Sequence, residues 1–221
     1  MKSSCSVGVL ALAIGAAAQT APVPVEQEPH HHVVLKNGSV IVMHVTIPPG
    51  ESTLYHTHAH DRAAVHLTAN NLTFQEPDKP ESPPDASKVG ELSASAQREG
   101  GYTHRVHNLG PGTFEVMDVE FLQRPKEPSP APAATVAAEN PSARIYNWVL
   151  APGASSPQHT HERPYLIVAV NTVQLKMTGL DGKPSTHEVR AGDFHWVDSK
   201  VTHALANDGA TEGQIVEIEL K

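Results

Sequence analysis

The stretches MHVTIPPGESTLYHTH (43–58) and YNWVLAPGASSPQHTH (146–161) decide the reading of this chain. Laid over each other they agree at six of sixteen positions, including Pro49 with Pro152, Gly50 with Gly153, and both histidines of each His-Thr-His. The offset, Gly50 to Gly153, is 103 residues. Further on, HRVHNLG (104–110) lies over HALANDG (203–209) at an offset of 99, and the runs VMDVEF (116–121) and IVEIEL (215–220) follow in step. One unit is written twice, and the copies differ by a net four residues of loop. Self-similarity at this period marks tandem copies of one structural unit.

Working outward, the segments around these motifs are short and rich in β-branched and aromatic residues: VIVMHVTI (40–47), AAVHLTA (63–69), YNWVL (146–150), YLIVAV (165–170), VQLKMT (173–178) and THEVR (186–190), with Gly, Pro, Asn and Asp between them. These are strand and turn signals. No segment keeps an amphipathic helical period over three turns, so the chain is expected to be all-β, two barrels or sandwiches in tandem. QRPKEPSPAPAATVAAENPSA (123–143) is Pro- and Ala-rich and reads as a linker between an N-terminal domain (30–122) and a C-terminal domain (144–221). EPDKPESPPDASKVGE (76–91) has four prolines and reads as an exposed loop within the first domain.

Composition narrows the function classes. Sixteen Lys and Arg against 24 Asp and Glu give a net charge of -8. Scattered basic residues on an acidic chain argue against a nucleic-acid or acidic-membrane partner, because counterion release needs clustered positive charge. Lys2, the apolar run Val7 to Ala18 and the triplet Ala16, Ala17, Ala18 before Gln19 form a secretory leader, residues 1–18. That run is too short to span a bilayer. The only cysteine, Cys5, falls inside it, so the mature chain is expected to be soluble, periplasmic or secreted, and to hold any metal without thiolates. No Gly-x-Ser-x-Gly elbow occurs either, which argues against a nucleophilic hydrolase.

The chain carries 15 histidines. On a strand, residues i and i+2 share a face, so each His-Thr-His presents two imidazoles together. A third histidine from a distant strand completes a nitrogen ligand set with positions left open for water and substrate. The run His30 to His32 reads by itself as a solvated tail, and Trp148 and Trp196 as barrel-wall residues.

Gly, five residues, His-x-His, then a later His followed after three residues by Asn, resembles the two motifs of the cupin superfamily, and its doubling resembles the bicupins. The first copy is Gly50, His56, His58, His104 and Asn108; the second is Gly153, His159, His161, His203 and Asn207. The resemblance implies two tandem cupin-type jelly-roll barrels. It also implies a divalent metal (iron, manganese, zinc, nickel or copper) held by His159, His161 and His203 in the second barrel and by His56, His58 and His104 in the first. The family pattern places a Glu ligand four residues after the second His, where this chain has Arg62 and Tyr165. Arg62 repels a metal unless it points away or holds an anion. Tyr165 has three open roles: phenolate ligand, hydrogen-bond donor, or packing. His60 continues the i, i+2 series as a substitute ligand, and a bulge after His58 would turn Asp61 inward. The second half thus resembles three-histidine oxygenases and lyases. The expected function is metal-dependent work on a small molecule, first of dioxygenase type, with Tyr165 or Glu162 moving a proton. The competing readings are a metal-dependent lyase or isomerase, and a non-catalytic metal or small-ligand binding protein. Either way the chain is expected to act as a monomer or homodimer.

Overall fold

The computed structural model describes residues 21–127, 129–179 and 182–221; the expected leader, residues 1–18, lies outside them. Among the described residues the one helical element is a 3-10 turn, Val25–Gln27. The rest are strands in four sheets, and no helix among the described residues is long and apolar enough to cross a membrane.

Each half of the chain builds two sheets that face each other as a jelly-roll barrel. In the first, Val23–Pro24, His56–His58, Tyr102–Asn108, Asn71–Gln75 and Asp85–Ala86 form one sheet in that order, and His31–Lys36, Val40–Ile47, Phe114–Phe121, Asp61–His66 and Leu92–Ser95 form the other. In the second, His159–His161, Val201–Asn207, Val173–Gly179 and Pro184–Val189 face Ala138–Glu139, Ala143–Leu150, Gly213–Leu220, Tyr165–Ala169 and Phe194–Val197. The pairing is antiparallel apart from Val23–Pro24, which lies parallel to His56 and Thr57. The first barrel therefore begins before residue 30, because Val25 is buried in its core. The linker stretch ends in a strand of its own, Ala138–Glu139, paired with Ile145 and Arg144, and the next strand already starts at Ala143.

The repeat in sequence is a repeat of hydrogen bonds. Gly50 and Gly153 sit at φ of 74° and 75° and donate their N–H to Asn108 O (2.9 Å) and Asn207 O (2.8 Å). That left-handed conformation is one that only glycine adopts without strain. Asn108 donates to Ile47 O and Gly112 O, and Asn207 to Leu150 O and Thr211 O, while their Oδ1 atoms accept from Gly110 and Gly209. The asparagine of each motif thus ties the end of the third histidine's strand to the edge of the facing sheet. Thr57 with Thr103, and Thr160 with Thr202, are both 2.8 Å apart across the equivalent strand pairs.

The sheets of the two barrels that carry Val40–Ile47 and Tyr165–Ala169 pack against each other, and this explains why YLIVAV is apolar without a break. Leu166 and Val168 face Val42, Val65, Met117 and Val119 of the first barrel in a shared layer, while Tyr165, Ile167 and Ala169 face the interior of their own barrel. A strand buried on both faces loses its polar alternation. Burial of this kind is worth roughly 25 cal/mol per Å² of apolar surface, so the shared layer couples the stabilities of the two barrels.

Candidate metal centre

In the second barrel His159 and His203 are direct cross-strand partners, and His161 follows two residues along on the same face. The pairing brings the rings to 4.6 Å (His159 to His203), 5.1 Å (His159 to His161) and 5.4 Å (His161 to His203) between centroids. All three sequence-expected ligands of this half therefore meet. They are 5%, 0% and 1% exposed, so what they face is not bulk water.

They face Glu217. Its carboxylate lies 3.0 Å from His159 Nε2, 3.3 Å from His161 Nε2 and 3.0 Å from His203 Nε2, and the residue is fully buried. Together these four offer ligand atoms within 4.8 Å of one another. His159 Nδ1 donates to Pro157 O at 2.9 Å, which leaves its Nε2 lone pair pointing at the cluster. Yet His161 Nε2, His203 Nε2 and Glu217 Oε1 have no hydrogen-bond partner of adequate geometry although they are buried and crowded together. Buried polar atoms are normally satisfied, and three imidazoles with one carboxylate is a donor set that divalent transition metals take. The residues present fit such an ion.

The electrostatics agree with a site built for positive charge. Burial drives His161 toward the neutral form, but the carboxylates of Glu217 and Glu219 outweigh it and raise its pKa to about 9. Burial pushes Glu217 the other way, and its contacts with the three histidines hold it well below the usual carboxylate range. Trp148 stacks on His159 at 4.8 Å and donates Nε1–H to Glu217 at 2.6 Å. Tyr146 donates to Glu219 at 2.8 Å, and Glu219 lies 3.5 Å from His161 Nδ1.

Glu217 was not among the residues expected from the sequence. The family pattern directs attention to the position after His161, whereas the carboxylate comes from the last strand. The signal was present: in IVEIEL the two acids alternate with Val216, Ile218 and Leu220, and Val216 and Ile218 bury in the layer between the barrels, so Glu217 and Glu219 share the other face with Ile215 and point into the barrel. Tyr165, at the position of the expected Glu, lies flat on His161 with centroids 3.9 Å apart and planes at 18°. Its pKa is raised, first by burial and then by Glu217 and Glu219, so the phenol keeps its proton. Tyr165 also walls one end of a cavity of about 410 Å³ lined by Ile167, Leu175, Met177, Phe194 and Val201. Glu162 is not brought to this site; it is exposed and its carboxylate pairs with Lys200 at 2.6 Å.

The first barrel assembles the corresponding residues with a different result. His56 and His104 pair across strands, and their rings, with that of His58, lie 4.6 to 5.2 Å apart. His56 Nδ1 donates to Leu54 O and His58 Nδ1 to Glu120 Oε1, both at 2.9 Å. His31 joins them: the strand His31–Lys36 pairs with Val40–Ile47, placing His31 opposite Val45 and inside the barrel, 4.5 Å from the His56 ring. The run His30 to His32 is therefore not a solvated tail. His31, His56 and His58 offer nitrogens within 4.8 Å of one another. Burial, reinforced by His31, holds His56 down at about 4; burial and His56 hold His104 at about 2. Asp118, the counterpart of Glu217, is one methylene shorter and keeps Oδ1 buried without a partner. Arg62, the counterpart of Tyr165, donates NH1 to His58 Nε2 at 2.9 Å and lies 3.8 Å from Asp118. His60 is not among the residues whose nitrogens converge, which are His31, His56 and His58; its Nδ1 donates to Glu120 at 2.7 Å. Asp61 faces away, bound by Arg124 (2.7 Å) and Ser142 (2.7 Å) at the seam between the barrels.

Residues 146–219 match the family model described as a cupin domain. A curated relative is the beta-alanine degradation protein BauB of Pseudomonas aeruginosa, 29% identical over 92 residues that span 42% of this chain and 96% of that protein. Among solved structures, AerE from Microcystis aeruginosa aligns with a TM-score of 0.63 at 16% identity, over 90% of this chain and 98% of that one. A variant of salicylate 1,2-dioxygenase from Pseudoaminobacter salicylatoxidans, in complex with gentisate, aligns with a TM-score of 0.57 at 12% identity, over 90% of this chain and 76% of that one. At such identities the likeness to the solved structures is one of fold. Both halves fold as jelly-roll barrels, the family model matches the second of them, and the matched segment contains the whole His159, His161, His203 and Glu217 cluster.

Proposed function

We propose that the second barrel holds one divalent metal on His159, His161, His203 and Glu217 and that the protein uses it on a small organic molecule, as an oxidoreductase of dioxygenase type. The observation that carries the reading is the convergence of three Nε2 atoms on one buried carboxylate, with unsatisfied polar atoms among them. A bound divalent metal supplies Lewis-acid polarisation and, if redox-active, electrons for dioxygen. The chain's own residues do the positioning. Pro157 O and Trp148 fix His159 and Glu217, Glu219 braces His161, and Tyr165 separates the ligands from the apolar cavity in which the body of a substrate fits. The dioxygenase among the structural neighbours supports this choice of chemistry over a lyase or isomerase. The leader-like sequence of residues 1–18 supports work outside the cytoplasm, which N-terminal sequencing of protein recovered from culture medium or periplasm tests.

One observation favours a second reading. The four ligands are at most 5% exposed and Tyr165 lies across His161, which suits a closed site that only binds metal. Dioxygen uptake by iron-loaded protein over a panel of small aromatic and aliphatic acids, thiols and phenols separates the two. Uptake that disappears in His159→Ala/His161→Ala supports catalysis; metal bound at one equivalent with no uptake on any compound supports binding alone.

A further inference from the structure

The barrels share the backbone anchor of the first histidine (His56 to Leu54 O, His159 to Pro157 O) and the Thr–Thr pair beside it but differ in charge. In the second, the residue beside the ligand set is the neutral Tyr165, and among the described residues no arginine or lysine lines the cavity next to it. In the first, Arg62 stands in that place and its guanidinium donates to His58 Nε2, the lone pair through which His58 would bind a metal. A guanidinium does not give up its proton. It therefore blocks that nitrogen and repels any dication held by the His31, His56 and His58 nitrogens within 4.8 Å of one another. Asp118, which corresponds to Glu217, has one carboxylate oxygen 3.8 Å from the Arg62 guanidinium, so a cation already stands beside it. The first barrel's residues do not fit a metal while Arg62 holds this position.

We propose that the first barrel is a metal-free recognition site for a small organic carboxylate, bound by the Arg62 guanidinium in the position where the second barrel carries its metal. A guanidinium has five N–H donors in a planar fork suited to a carboxylate. Among the described residues the polar contacts of the Arg62 guanidinium are His58 and Asp118, which leave most of that fork facing a cavity of about 330 Å³. Arg98 reaches the same cavity with its guanidinium 4.1 Å over the Tyr102 ring, Ser93 and Ser95 line it, and the buried His66 Nδ1 that borders it has no partner. Leu72, Phe74 and Val116 form an apolar wall for the rest of the ligand. The carboxylates lining the cavity are Asp118, turned to Arg62, and Asp85 and Glu91, exposed at the rim where water screens them.

Calorimetry on the full chain with benzoate, and with benzamide as its neutral analogue, tests the ligand class. Benzoate is expected to bind and benzamide to bind at least about tenfold more weakly; Arg62→Gln is expected to weaken benzoate by about tenfold or more. Arg62→Lys, which keeps the charge and so the local fold but loses the fork, falls between. Benzoate binding persists in His159→Ala/His161→Ala, so the test does not depend on the second barrel. Metal analysis gives a readout of another kind: Arg62→Tyr is expected to take up one equivalent more than the parent, and that gain to disappear when His56→Ala/His58→Ala is added. The proposal is overturned if the parent itself holds a metal that His56→Ala/His58→Ala removes, if benzoate does not bind, or if benzoate binds the Arg62→Gln variant as well as the parent.

Discussion

Replacing Glu217 by glutamine keeps the shape of the second site and removes its charge. In metal-free protein that charge has a measurable partner. His161 is buried, which disfavours its cation, yet Glu217 and Glu219 carry it from 6.5 up to about 9. A histidine raised in the folded state contributes stability that is fully present below its unfolded pKa and lost as pH rises through its folded pKa. The span from 6.5 to about 9 corresponds to about 3 kcal/mol. Urea unfolding of chelator-treated protein is the assay, at about pH 6 and about pH 9.5. The parent is expected to lose about 3 kcal/mol between them. In Glu217→Gln only Glu219, at 3.5 Å, still supports the cation. The variant should therefore start less stable at the lower pH and lose about 1 kcal/mol or less over the interval. Identical pH dependence in parent and variant would refute the assignment of Glu217 as the counter-charge of the three histidines.

Three further outcomes follow from the same geometry. Asn207→Ala strips Leu150 O, Thr211 O and Gly209 N of their buried partner, and urea unfolding should show a loss of about 2–3 kcal/mol; a change under about half a kcal/mol would mean water replaces the amide. Tyr165→Phe keeps the ring stacked on His161 at 3.9 Å, so metal content by elemental analysis should stay unchanged; loss of the metal would identify the phenol oxygen as a ligand. His56 and His104, held by burial at about 4 and about 2, contribute stability that is present above pH 6.5 and falls as pH drops through their folded values. Acid unfolding followed by circular dichroism should therefore shift to lower pH in His104→Gln, and an unshifted midpoint would contradict that burial.

Much of this was legible before any coordinates. The doubled His-Thr-His motifs gave two inward-facing histidines in both halves and a third from a distant strand, because strand alternation leaves few other arrangements; that the third is the direct cross-strand partner of the first is seen in the structure. What was not legible depended on contacts between distant segments. Glu217 is 56 residues beyond His161, and nothing local says that its strand runs past the His159–His161 face. The sequence showed Arg62 in an odd place, but only the 2.9 Å contact to His58 shows that it engages the ligand nitrogen. His31 looked like tail because a triple histidine has no strand period; pairing with Val45 is what buries it. Glu162 failed for the converse reason: proximity in sequence to His161 does not give proximity in space when alternate residues face opposite ways.

The metal proposed for the second barrel is tested most directly by the anomalous-scattering map of a crystal of metal-loaded protein collected at the metal's absorption edge. One peak is expected in the second barrel, surrounded by the Nε2 atoms of His159, His161 and His203 and an oxygen of Glu217, and none beside His58 in the first. A fully loaded protein with no peak among those four residues, or with Glu217 turned away from the one that is found, would contradict it.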